Sequence, residues 1–473
     1  MRTFYLTFVI IFFFLSLSVA SAYFAYIVTN NEVSITGLAP EPGYAPPSDL
    51  EIPATLEDLP VTAIADYAFY YNESLTSVAI PESVITIGRH ALAGCSSLTS
   101  IVVSASNTAY SSEDGVLFNK GKTHLIQYPA RKSGIYDVPD GVTNIGDTAF
   151  FECWYLTSVT IPVGVISIGN SAFSRCSGLR GITLPTGVSS IGDCAFYECR
   201  NLAYVDIPDS VTSIGACAFS DCYGLTNVVL SSHVANIGDR AFGRCTFLAG
   251  IEVSASNPTY SSEDGALYDK DKTHLIQYPG AKSGHCTIPA SVTSIGDYAF
   301  ELTLGLTSVI IPDSVTYIGD YAFSDSWSLT TVVIRGVVTR IGDYAFYRCL
   351  NLTRVCFADS PPESTGLGLF FGCTATIHYR YGTVGWDGAG GGWNYLPLRL
   401  WPQFMSASVT SSGMTFTIKA SYNQQFVVEA ASSLSSDWQA IYTGLVTWGE
   451  SYDVTDDSAD ADHPSRFYRI VLP

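Results

Sequence analysis

Charge is what this sequence has least of. Only 14% of its 473 residues are Asp, Glu, Lys or Arg, against roughly 25% in an ordinary soluble domain. Within that small set the basic residues are outnumbered, 23 Lys+Arg to 43 Asp+Glu, for a formal net charge of −20. A chain so short of cations argues against a nucleic-acid partner and against an anionic lipid surface. Histidine is equally sparse: there are seven, with no H-x-x-x-H pair. No G-x-S-x-G elbow, G-x-x-x-x-G-K-[ST] loop, H-E-x-x-H or C-x-x-C occurs, so the common hydrolase, nucleotide and zinc signatures are missing. No metal and no cofactor is expected. After the first 22 residues no segment offers 18 uninterrupted apolar residues, so no transmembrane helix is expected in the mature chain.

What is present begins with an export signal. Met1-Arg2 is a short basic start, Phe8 to Leu15 an apolar core, and Val19-Ala20-Ser21-Ala22 an A-x-A pattern before Tyr23. Residues 1–22 therefore read as a cleaved signal peptide. The alternative, an uncleaved anchor helix, meets a run short of the ~20 residues that span a bilayer. Hydrophobic residues make up 47% of the chain, enough for a sizeable core, and the length suits about three domains.

A 23-residue period organises most of that length. Ile-Gly-x-x-Ala-Phe, with small departures, begins at Ile64, Ile87, Ile145, Ile168, Ile191, Ile214, Ile237, Ile295, Ile318 and Ile341. The nine steps between them are 23 or, where a coil is enlarged, 58; the latter is 23 plus 35. One coil runs Leu156, Val159-Thr160-Ile161-Pro162, Val165, Ile168-Gly169, Ala172-Phe173, Cys176. The alternation at Val159–Ile161 predicts a short strand with Val and Ile inward, ended by Pro162. Val165–Ile168 predicts a second extended piece, and Asp-x-Ala-Phe an Asp N-cap opening a helical turn. A single coil cannot bury its apolar face, so stacking into a solenoid with Phe and Leu ladders follows.

The two enlarged coils are near copies, 150 residues apart. Val103–Gly115 recurs as Val253–Gly265, and Thr123–Pro129 as Thr273–Pro279. Val116-Leu-Phe, a Lys/Gly turn and His124–Tyr128 read as a protruding β-hairpin. Thr374–Tyr379 reads as a final capping strand and 382–401 as a Gly/aromatic linker. Short strands at Ala407–Val409, Thr415–Lys419, Phe426–Glu429, Trp438–Tyr442 and Phe467–Val471 suit a small β-sandwich over 402–473. The expected order is signal peptide 1–22, N-terminal cap 23–63, solenoid 64–381 with two hairpin insertions, linker and sandwich: a mainly β repeat protein.

These ladders (I-G-D-x-A-F, L-T-S-V-x-I-P and the S-S-E-D-G-V-L-F-N-K hairpin) resemble the BspA-type leucine-rich repeat family of bacterial surface proteins, over roughly Ile35 to Tyr381. The resemblance implies a right-handed solenoid with a strand-lined face, a secreted or cell-surface location, and adhesion or binding to extracellular protein or glycan. It carries over no catalytic residue, so a non-enzymatic role is expected. A carbohydrate-active or other hydrolytic enzyme with an unrecognised site, and a purely structural envelope protein, stay open.

Candidate residues follow from register. Tyr298, Tyr321 and Tyr344 share the x of D-x-A-F, with Tyr67 in the same column. Facing out, they would form a ladder able to contact sugars or proteins; facing in, they would cover the core edge. The outward strand stripe Thr160, Thr183, Asp206, Val229, Glu252 becomes apolar at Ile310, Val333 and Cys356, a contact patch unless the C-terminal module covers it. Asp297, Asp320 and Asp343 form a like-charge ladder, read as three separate N-caps or as cation-bridging groups. Asp453, Asp456, Asp457, Asp460 and Asp462 read as a solvated acidic turn. Cys153, Cys176, Cys199, Cys222 and Cys245, in register with Cys95 and Cys349, point alike on adjacent coils. That predicts a buried free-thiol ladder over a disulfide framework, with Cys194 and Cys217 as a second stack.

Overall fold

The computed structural model describes residues 23–39 and 47–380, then 383, 385–386, 392–393, 396–400 and six later strands between 403 and 471. The signal segment 1–22 lies outside the described residues, as do Trp438, Asp457, Asp460 and Asp462. No α-helix occurs among the described residues. The chain divides into two compact units, residues 1–222 with 236–241, and 223–235 with 242–473.

In the first unit, a hairpin of Phe24–Thr29 and Glu32–Leu38 leads in, and the second of these strands pairs in parallel with Leu59–Ile64. Each later coil supplies a longer and a shorter strand. The longer ones pair in parallel, as in Asp49–Glu51, Ser77–Ile80 and Ser100–Val103. The shorter ones, from Asn144–Ile145 through Ser167–Ile168, Ser190–Ile191 and Ser213–Ile214 to Asn236–Ile237, continue one parallel ladder. At Leu156–Thr160 the pattern is as expected: Leu156 and Val159 are buried, Thr160 exposed. The enlarged coil is no free hairpin. Tyr110–Glu113, Val116–Asn119 and His124–Gln127 form an antiparallel meander whose last strand joins the short-strand ladder. Val116, Leu117 and Phe118 are wholly buried; an apolar triplet of this kind stays packed rather than projecting into water.

The second unit repeats the scheme. The meander Tyr260–Glu263, Ala266–Asp269, His274–Gln277 leads into Ser294–Ile295, Tyr317–Ile318, Arg340–Ile341 and Ser364–Thr365. Ser283–Thr287, Gly305–Ile311, Thr331–Ile334, Arg354–Phe357 and Thr376–Tyr379 make the long-strand sheet. The capping strand is not its last member: Leu396–Leu400 pairs in parallel with Thr376–Tyr379 inside the expected linker. Beyond it lie two three-stranded antiparallel sheets. One contains Ser451–Asp456, paired with Gly413–Lys419, so Asp453 and Asp456 sit in a strand and not in an acidic turn. The side-chain packing expected of a sandwich over 402–473 lies outside the described residues.

The Asp-x-Ala-Phe segment departs most from expectation. Instead of a helical turn, it places two non-glycine residues per coil in the left-handed region, such as Cys194 (φ 53°) and Glu198 (φ 55°). The alternation turns every second N–H toward the next coil: Cys194 N–H donates to the Ala216 carbonyl, Phe196 to Ala218 and Glu198 to Ser220, at 2.8–2.9 Å. A helix would fold those donors back along its own chain. The Asp carboxylate is likewise aimed outward from its coil. Asp320 N–H donates to Asp297 Oδ1 and Asp343 N–H to Asp320 Oδ1, both at 2.8 Å, so each carboxylate staples the following coil and caps nothing of its own. Asn170 does the same for Asp193. Glycine beside this staple is required by crowding: a Cβ on Gly169 would lie 2.6 Å from the Asp147 nitrogen.

The core is built of ladders. In the first unit Phe150, Phe173, Phe196 and Phe219 stack in parallel at 4.7–5.2 Å. In the second, Phe300, Phe323, Phe346 and Phe370 do so at 4.6–5.3 Å. Within the first unit the thiols of Cys176, Cys199 and Cys222 donate to the carbonyls of Phe150, Phe173 and Phe196 at 3.0–3.1 Å. All twelve cysteines carry free thiols, nine of them buried.

Candidate functional site

The tyrosine column is brought together by the left-handed turn. Tyr298, Tyr321 and Tyr344 have φ of 59°, 54° and 53°, each backbone N–H held by the following coil, which leaves the side chain free to leave the coil. Their rings stack at 5.2 Å, with interplanar angles of 5° and 18°. Tyr347 meets the edge of Tyr344 at 5.7 Å and stacks on Phe371 at 5.8 Å. The three tyrosines are half-buried. Both faces of Tyr321 are taken by its neighbours, and Gly368, left-handed at φ +57°, lies so close over Tyr344 that a Cβ there would strike the ring. What reaches solvent is a row of ring edges and hydroxyls, backed by the Asp297–Asp320–Asp343 staple. Burial, then the neighbouring Tyr344 and Asp343, pushes the Tyr321 hydroxyl pKa up.

Ile310 and Val333 are register partners in the long-strand sheet, next to Thr287 on one side and Cys356 and His378 on the other. They are half-buried, while Cys356 and His378 are 5% and 6% exposed. The apolar stripe therefore ends at Val333. It belongs to a different strand ladder from the tyrosines, which follow the short strands. The five residues thus make two surfaces and not one.

Other surface contacts become visible only in the structure. In the first unit Tyr67 stacks on His90 at 5.0 Å, Tyr70 meets Tyr67 edge-on at 5.4 Å, and Tyr71 lies against Tyr70 and Phe151. Tyr71 also donates its hydroxyl to Glu152, 3% exposed, which Arg175 grips at 2.8 Å. The one available signal was the doubled Tyr70-Tyr71 after Ala-Phe, where most coils carry a single aromatic at most. Tyr204, 57% exposed, lies across Gly181, whose missing side chain makes room for the ring. His124 and His274 hold equivalent positions with different partners, the Thr123 hydroxyl at 3.0 Å and the Ser294 hydroxyl at 2.8 Å. Among the described residues no three His, Cys, Asp or Glu side chains converge as a metal site, and no helix is long and apolar enough to cross a membrane.

A family model described as BspA type leucine rich repeat region matches residues 51–131, 140–264 and 279–380, in six copies. No curated protein matches the chain. Among solved structures, a leucine rich cell surface protein from Faecalibacterium prausnitzii A2-165 is 27% identical over 76% of this chain and 93% of its own, with a TM-score of 0.47. A leucine-rich repeat protein from Bacteroides ovatus ATCC 8483 is 26% identical, covering 76% of this chain and 83% of its own at a TM-score of 0.42. Pneumococcal vaccine antigen PcpA is 21% identical, covering 75% and 79% at a TM-score of 0.43.

Proposed function

Because this chain belongs to the BspA-type leucine-rich repeat family, we propose that it is an exported, non-enzymatic binding or adhesion protein of a bacterial surface. It presents its repeat surface to an extracellular ligand, and its C-terminal strands form a small β-sandwich. The observation that carries the reading is the stacked column Tyr298–Tyr321–Tyr344, extended by Tyr347 and Phe371. Its rings are held in place before any ligand arrives, so little ordering entropy is lost on binding. Their faces already cover one another, which leaves edges and hydroxyls for contact. That favours a protein ligand over a glycan, since sugars stack on open ring faces. Ile310 and Val333 supply a separate, smaller apolar contact.

The test is a binding screen of the mature chain against matrix proteins and glycans, followed by Tyr321→Ala plus Tyr344→Ala. The pair should weaken binding by about 1–3 kcal/mol, roughly 5- to 150-fold in Kd, with the fold kept because Phe323 and Phe346 remain. Unchanged affinity of the folded double variant for a protein ligand found in the screen would remove the column from the site.

A further inference from the structure

Tyr204 stands apart from the stacked tyrosines. It opens the strand Tyr204–Asp206, which pairs in parallel with Gly181–Thr183, so Gly181 is the register partner of Tyr204 and Thr183 that of Asp206. Ile182 and Val205 between them are buried, and alternation turns the residues on either side outward. The Tyr204 ring leans over Gly181: a Cβ there would fall on Cδ1, Cε1 and Cζ of the ring. Gly181 is not one of the left-handed glycines, so the backbone makes no demand for glycine at this position; the ring does. The coil makes none either, since Ser158 and Ile135 stand in the same column in the two preceding coils. The ring therefore rests on bare backbone. With 57% of the residue exposed and no second ring against it among the described residues, its outer face is open. Polar groups border it. Thr183 and Asp206 are exposed in the neighbouring outward column, which Thr160 and Asp137 continue, and Arg180 is exposed next to Gly181. The side chains of Arg180, Thr183 and Asp206 make no hydrogen bond or ion pair among the described residues.

We propose that Tyr204 is the platform of a carbohydrate subsite on the first unit, and that its ligand is a neutral, β-linked pyranose chain. This goes beyond the protein-ligand reading of the Tyr298–Tyr321–Tyr344 column, where the rings cover one another. A pyranose with equatorial hydroxyls has the shape that the Tyr204 site complements. Its flat side carries axial C–H groups, which pack on the electron-rich face of an aromatic ring. Its rim carries hydroxyls, and here the rim meets Asp206 as acceptor, Arg180 as donor and Thr183 as either. A protein partner fits less well, because its anchors need desolvated apolar pockets, whereas the residues flanking this ring are polar. Acidic sugars are disfavoured by the carboxylates of Asp206 and Asp137 and by the net charge of −20. A chain suits the site better than a single sugar. The ring leans toward the earlier coils, where Thr183, Thr160 and Asp137 recur at about 4.8 Å, the scale of one pyranose, so successive sugars find successive polar groups. Seated on Gly181 before any ligand arrives, the ring loses little freedom on binding.

The experiment titrates the folded mature chain with cellotetraose, a β-1,4-linked glucose tetramer, followed by calorimetry and by saturation-transfer NMR of the sugar protons. Saturable binding is expected, with the strongest transfer to the axial C–H protons. Tyr204→Ala should weaken it about tenfold or more, and the fold should survive because the residue is exposed; circular dichroism checks this. Tyr204→Phe keeps the ring and should bind nearly as the parent does. Gly181→Ala lifts the ring off its bed and should weaken binding with Tyr204 still in place. Tyr321→Ala plus Tyr344→Ala, in the other unit, should leave cellotetraose binding unchanged, so the two sites are read independently. No saturable binding of the tetrasaccharide, equal affinity in the parent and the folded Tyr204→Ala chain, or a loss in Tyr204→Phe as large as in Tyr204→Ala would each overturn the proposal.

Discussion

A buried cysteine in this chain acts as a small apolar group with one donor, and the Phe carbonyl of the preceding coil takes that donor. The second unit shows how little the sulfur itself matters: Ser326 stands in the same column and donates its hydroxyl to the Phe300 carbonyl at 2.8 Å. Cys199→Ser should therefore cost at most about 1 kcal/mol, while Cys199→Leu, which overpacks the ladder, should cost about 1–3 kcal/mol, both read by urea unfolding. The same burial gives a pH signature. Burial raises Cys95 and Cys356 to about 12 and Cys286 to about 11, against about 8.5 for a free thiol. A raised folded pKa means the unfolded chain holds fewer protons above pH ~8.5, so that stability is complete below it and declines as pH climbs toward 11–12. Denaturant midpoints measured from pH 7 to 11 should fall steadily above about 8.5. Thiol labelling should be slow in the fold and rise on denaturation without reductant. The thiol column was legible in the sequence because a 23-residue repeat fixes register. Its hydrogen-bond acceptor was not, since a backbone carbonyl has no sequence signature.

At the level of the coil, the Asp-x-Ala-Phe turn separates pattern from conformation. Its recurrence was plain in the sequence. Its geometry was hidden because the left-handed positions are filled by Tyr, Ser, Thr, Cys and Arg and by almost no glycine, so the usual marker of positive φ was missing. The meander was half legible for a related reason: Val116–Asn119 and His124–Gln127 read as a hairpin, but polar Tyr110–Glu113 gave no alternation to betray a third strand. The carboxylate staple leads to a clear expectation. Asp320→Asn should be nearly neutral, since Asn170 already performs the task at 2.8 Å. Asp320→Ala should lose about 1–2 kcal/mol, because the Asp343 N–H gives up a charge-assisted acceptor. Amide exchange at Asp343 distinguishes a staple from an N-cap, since it would quicken in Asp320→Ala only in the former case.

Over the whole molecule, each unit is an array in which a coil touches chiefly its neighbours, and the 150-residue duplication sets the same parts in both. Asn107 donates to the Pro81 and Val84 carbonyls, and Asn257 to those of Ser231 and Val234. In such arrays damage stays local. Phe173→Ala should cost about 3–5 kcal/mol and raise hydrogen exchange across the coils around Phe150 and Phe196, while the coils around Phe323 keep their protection. Uniform loss of protection in both units would contradict this. Architecture at this scale was the most legible part of the sequence, because a fixed period states it many times over. The surface aromatic clusters were the least, because Tyr70, Tyr71 and Tyr204 find neighbours that only stacking brings near.

The left-handed turn carries one more consequence. Its backbone N–H secures the coil under several different side chains, and the column reads Tyr67, Thr148, Ser171, Cys194, Cys217 and Tyr298 without change of conformation. Copying a coil therefore duplicates the fastening and leaves the displayed group free to drift. The protein possesses, in effect, a variable region written on a constant frame, with one character per coil. A tyrosine run and a cysteine pair are two words in it, and others could be written there by substitution alone, at no cost to the frame.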